Sequence, residues 1–124
     1  MFQLKELTKI IAFFIVYFTV HLVTAQSFLP LDENRYRSDA ERLLLSSSDD
    51  SVKAMQYFYL ADYYRFRDTT KFWDHMREGE RFAKPFRSLQ AMGALYKSFY
   101  YGQFLDSKNA GVEAQRCVDL LGNA

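Results

Sequence analysis

At 124 residues the chain has room for one domain, and an aromatic share of 18% is far more packing surface than a disordered chain carries. Five glycines and two prolines are too few for the many turns of an all-β domain, so long helices are expected. The formal net charge is +1, and it becomes zero (14 Lys+Arg against 14 Asp+Glu) once Lys5, Glu6 and Lys9 are set aside with residues 1–25, which removes the electrostatic case for nucleic-acid binding.

Residues 1–25 follow the three-part pattern of an export signal. Lys5 and Lys9 precede an apolar run from Ile10 to Val20, and Val23-Thr24-Ala25 offers small or modest residues for cleavage before Gln26. The alternative is an uncleaved membrane anchor, since no charge occurs between Lys9 and Asp32. Residues 26–50 form a lead and a capping helix. The lead, Gln26 to Asp32, is expected to be extended because Pro30 disfavours helix at Leu29. A helix over Glu33–Leu45 carries Tyr36, Ala40, Leu43 and Leu44 on one stripe.

Residues 51–124 read as two helical hairpins. Asp50 or Ser51 is the expected cap of a helix over Val52–Arg67, whose apolar residues run nearly all round and must be covered on two sides. Thr69 or Thr70 is expected to cap the next helix, with Phe72, Met76, Gly79 and Phe82 on its packing stripe. Glycine inside a helix costs about 1 kcal/mol relative to alanine, so Gly79 predicts a close neighbour. Pro85 marks the joint before a third long helix over Phe86–Leu105. A loop over Asp106–Asn109 with Asn109 as cap, a helix over Val112–Leu121 and Gly122 as its C-cap complete the chain.

Helix–turn–helix units of roughly 34 to 41 residues are the mark of a helical solenoid. The pattern resembles the tetratricopeptide repeat. Tyr57, Leu60, Ala61 and Tyr64 match its first-helix positions, Phe72, Met76 and Gly79 its second-helix positions with one loop residue missing, and Pro85 its joint. In the second unit Gly102 and Leu105 take first-helix positions, and Ala114, Val118 and Leu121 take second-helix positions. That register implies a period of 41, from Ala61 to Gly102. A rival period of 37 pairs Ala54-Met55, Tyr59 and Tyr63-Tyr64 with Ala91-Met92, Tyr96 and Tyr100-Tyr101. The longer period is preferred because it puts small residues where helices approach. The arrangement of export signal, Pro-Leu-Asp-Glu-Asn lead, Asp-Ser-Val-Lys-Ala and Tyr-Tyr-Gly-Gln-Phe is similar to the amino-terminal periplasmic repeat region of Bacteroidetes sensor histidine kinases. The resemblance implies an all-α, right-handed, tetratricopeptide-like stack that lacks the kinase region, and so a truncated sensor input or a free-standing exported relative.

The residues offer little chemistry. His75 and Glu78 could share a helix face, but two ligands do not close a metal site, and a solvated face is expected. No catalytic residue, metal or cofactor is expected. Cys117, the single cysteine, reads as a small apolar residue of the last helix or as one half of an intermolecular disulfide. In the preferred register Met55, Phe58, Asp62 and Arg65 from the first unit, with Tyr96, Phe99, Gln103 and Asp106 from the second, line a concave aromatic groove. The competing reading makes these side chains core, covered by Glu33–Leu45 or by a missing neighbour. The expected role is non-catalytic binding of a protein or peptide as a sensor-input or scaffold module in the periplasm or cell envelope. Its alternative is a small secreted or membrane-anchored structural protein without a groove. An uncapped last helix would expose apolar surface and invite self-association.

Overall fold

The structure, a computed structural model, describes residues 3–27 and 32–122. Those residues form six helices and no strand. They are α1 (Leu4–Ser27), α2 (Glu33–Ser46), α3 (Asp50–Tyr64), α4 (Thr69–Ala83), α5 (Arg87–Gln103) and α6 (Ser107–Gly122). The chain divides into two compact units, Met1–Asp32 and Glu33–Ala124.

In the first unit α1 is a single helix with its described apolar side chains exposed, among them Ile10, Ile11, Phe13, Phe14 and Phe18. Lys9 pairs with Glu6 one turn back at 3.2 Å. The helix runs through Gln26 and Ser27, where the extended lead was expected to begin. The remainder of that lead, including Pro30, lies outside the described residues. Among the described residues no helix is long and apolar enough to cross a membrane.

In the second unit α3 packs on α4, α5 on α6, and α2 on α3, while α5 reaches both α3 and α4. Phe58 sits at the centre. It is 0% exposed, and its ring lies against the Cα positions of Gly79 on α4 and Gly93 on α5, where an added Cβ would fall 2.6 and 2.9 Å from ring carbons. Two glycines therefore admit one aromatic ring from a third helix. Ala54, Ala61, Phe72, Met76 and Ala83 complete the buried cluster. Burying side chains of this size is worth about 1.5–3 kcal/mol each for the larger ones, which is the main term holding the helices together.

The turns are built on aspartate. Asp49 accepts from the Ser51 amide at 2.9 Å and the Ser51 hydroxyl at 2.7 Å, Asp68 accepts from the Lys71 amide at 3.1 Å, and Asp106 accepts from the Asn109 amide at 3.2 Å. Each cap lies upstream of the residues expected, Asp50 or Ser51, Thr69 or Thr70, and Asn109. The carboxylate is the better fit there because it both accepts from the free amides and complements the positive end of the helix. Hydrogen bonding to Ser51 also holds the Asp49 carboxyl below its usual range.

The helix starts fix the repeat. Asp50 and Arg87 open α3 and α5, 37 residues apart, and Thr69 and Ser107 open α4 and α6, 38 apart. The 41-residue register expected from small residues is therefore corrected. Ala61 and Gly79 are buried as that register required, but Gly102 and Ala114 are exposed, and no atom lies within 4 Å of a Cβ placed on Gly102. The small residue that approaches the second helix of its hairpin is Ser98, 37 after Ala61, whose hydroxyl donates to the Ala110 carbonyl at 2.9 Å. Leu105, expected on a packing face, lies past the end of α5 with φ +58° and is 89% exposed. There the Asp106 amide donates to Tyr101 O and the Leu105 amide to Gly102 O, the paired bonds of a left-handed helix end. Val118 and Leu121 are also exposed.

Candidate functional site

Helix α5 is the piece that organises the surface between the hairpins. The last carbonyls of a helix have no partner within it, and α5 supplies partners to three neighbours. Gln103 Nε2 donates to Arg65 O at the end of α3 (2.9 Å), Gln90 Nε2 to Lys84 O at the end of α4 (2.6 Å), and Arg87 Nε to Leu120 O near the end of α6 (2.8 Å). The Gln103 amide oxygen is buried with no hydrogen-bond partner among the described residues.

The Gln103 clasp sets the edge of the α3–α5 surface. Arg65 Nε donates to Asp62 Oδ1 at 3.1 Å, and the guanidinium lies 4.4 Å from the centre of the Phe66 ring and 5.5 Å from that of Phe99. Cation–ring contacts at such distances contribute about 0.5–1 kcal/mol when exposed. Phe66 and Phe99 are 69% and 45% exposed, so the arginine sits between two rings that meet solvent. Tyr96 packs edge-on to Phe99 at 6.3 Å and touches Phe58 at 6.4 Å. Tyr36 of α2 joins through Tyr59 at 5.8 Å. Burial, with smaller contributions from Asp62 and Tyr59, pushes the Tyr96 hydroxyl up to about 12, and burial raises Tyr36 further still. Both phenols stay neutral donors across the physiological range.

Of the eight residues expected to line a groove, Asp62, Arg65, Tyr96, Phe99 and Gln103 come together here. Phe58 does not: it is sealed between Gly79 and Gly93 and belongs to the core, as the competing reading held for it. Asp106 is committed to capping α6, where it also accepts from the Asn109 side chain. Met55 is half-buried on α3. Phe66 and Tyr36 were not singled out for this surface. Phe66 follows Arg65 at the helix end, and Tyr36 arrives only because α2 folds back on α3, a contact no local pattern encodes.

His75 does not lie on a solvated face. Its ring is 6.0 Å from that of Tyr57 and stacks on Tyr64 at 5.4 Å, in the seam that also stacks Tyr57 on Phe82 at 5.8 Å. Burial lowers its pKa, assisted by Lys71 and opposed by Asp74 and Glu41. Among the described residues no three His, Cys, Asp or Glu side chains converge as metal ligands would. An open cavity of about 250 Å³ between α4, α5 and α6 is lined by Glu80, Lys84, Gln90, Ala94 and Arg116. Of its charged side chains, Glu80 pairs with Lys97 and Arg116 with Glu113. Comparison with protein-family models, curated proteins and solved structures finds no match for this chain.

Proposed function

We propose that residues 33–124 are a non-catalytic, tetratricopeptide-like scaffold that holds a protein or peptide segment along the α3–α5 surface. The observation that carries this reading is the pair of exposed rings, Phe66 and Phe99, with the Arg65 guanidinium between them held by Asp62 and Gln103 at its carbonyl. It is a rigid apolar surface with a polar border, the combination that recognition surfaces use. The helix spacing of 37 and 38, with Ala61 and Ser98 at the close approaches, supports the stacked-hairpin geometry. The proposed setting is the periplasm or cell envelope, as a sensor-input or scaffold module, supported by Lys5 and Lys9 in the first turns of α1, ahead of its apolar run.

A second reading, a structural helical protein without a groove, is favoured by the burial of Phe58 and by Tyr36 occupying part of the same surface. Selection of a displayed random-peptide library on the purified chain separates the two. The groove reading predicts selected peptides whose binding falls about tenfold or more in both Arg65→Ala and Phe99→Ser, with the helical signal intact. The structural reading predicts no enriched peptide, or peptides indifferent to both changes.

A further inference from the structure

We propose that the cavity between α4, α5 and α6 binds a small organic carboxylate, its charge held by Lys84 and Arg116 and its carbon body laid on Ala94. The cavity follows from the way the hairpins stack. Among the described residues α4 and α6 do not pack on each other, and each packs on α5. The gap they leave measures about 250 Å³, room for about eight water-sized groups. Glu80 and Lys84 stand on its α4 side, Gln90 and Ala94 on its α5 side and Arg116 on its α6 side. Ala94 is buried, so the α5 wall has an apolar patch. The Gln90 side chain is fixed, because Nε2 donates to Lys84 O at 2.6 Å. The same bond fixes the backbone that carries the Lys84 ammonium.

The charges around the cavity are unevenly matched. Glu80 already faces Lys97, whose side chain is mostly buried. Lys84 has no carboxylate partner among the described residues. Arg116 has only Glu113, whose Oε2 lies 3.8 Å away, beyond hydrogen-bond reach. That oxygen is itself buried without a hydrogen bond, so the guanidinium keeps N–H donors to spare. Lys84, Lys97 and Arg116 against Glu80 and Glu113 leave one positive charge in excess. A ligand with a single negative charge balances it. A carboxylate offers two coplanar oxygens, which suit the planar fork of Arg116, and Lys84 adds a point charge. A phosphate dianion would exceed the balance and stand beside Glu80. Bound there, the carboxylate would join α4 to α6, which otherwise meet only through α5, and so tie the second hairpin to the first.

Two measurements on the full-length chain test the site, with sodium butyrate as the probe and sodium chloride holding the ionic strength constant. In amide proton–nitrogen NMR spectra, butyrate should shift the signals of Gln90 and Ala94 and of the residues flanking Lys84 and Arg116, and saturate as one site. Lys84→Met and Arg116→Met should each weaken that binding about tenfold or more. Both side chains are exposed, so the helical signal should survive both changes. Arg42→Met, which removes a cation from α2, should leave the affinity unchanged. In thermal unfolding, butyrate should raise the midpoint above the chloride control, and either cavity variant should abolish the rise. Shifts no larger than those with chloride, shifts that never saturate, or equal weakening by Arg42→Met would overturn the proposal. Binding of inorganic phosphate in preference to butyrate would overturn the assignment to carboxylates.

Discussion

At the level of single residues, Phe58 and the two glycines beside it decide the packing. Alanine at Gly79 gains about 1 kcal/mol of helix propensity, but its Cβ would lie 2.6 Å from a fully buried ring that has nowhere to move. Overpacking of this kind costs about 1–3 kcal/mol. Gly79→Ala should therefore lower the urea midpoint, and Gly93→Ala, whose Cβ would lie 2.9 Å from the same ring, should lower it less. Gly79 could be read in the sequence as a close approach. Gly93 could not, because nothing local says that a ring from α3 will stand over it. Leu105 is the reverse case, a branched side chain at φ +58° with no contact to lose. Leu105→Gly should raise stability by about 1 kcal/mol in the same assay, since glycine alone adopts that conformation without strain. His75 gives a pH dependence. Its folded pKa lies below the 6.5 of the free side chain, so the unfolded chain binds the proton more readily. Stability should be full above about pH 6.5 and decline as the pH drops through and below that value, and His75→Phe should flatten the decline.

Among the elements, the existence and order of the helices were legible, and their ends were not. Apolar spacing marked each helix of the second unit, and Pro85 marked the joint before α5. Glu33 opens α2 as expected, but the starts of α3, α4 and α6 were misplaced by one to five residues because Ser and Thr stand beside each capping aspartate and compete for the same role. Asp68→Ala and Asp106→Ala should each cost about 1 kcal/mol in thermal unfolding, while Thr69→Ala and Asn109→Ala should cost less, as their side chains do not cap the helix. The ends depend on long-range partners. Gln103, Gln90 and Arg87 reach carbonyls that lie 38, 6 and 33 residues away in the chain. The period was misread for a related reason. Gly102 looks like a packing residue, but the residue of α5 that meets α6 is Ser98, whose hydroxyl donates to the Ala110 carbonyl.

For the molecule as a whole, an all-helical architecture followed from scarce glycine and proline and abundant aromatic side chains. The candidate surface was legible in part. Asp62, Arg65, Tyr96, Phe99 and Gln103 share it because helical periodicity within α3 and α5 was read correctly. Phe58 was misassigned to it because periodicity cannot tell a ring that faces solvent from one that faces two glycines. The account thus separates two phenylalanines: one holds the hairpins together, and the other stands half open to solvent. Urea unfolding of Phe58→Ala and Phe99→Ala tests that division most directly. The account predicts a loss of about 3–5 kcal/mol for Phe58→Ala and of under about 1 kcal/mol for Phe99→Ala. Equal losses, or a larger loss at Phe99, would contradict it.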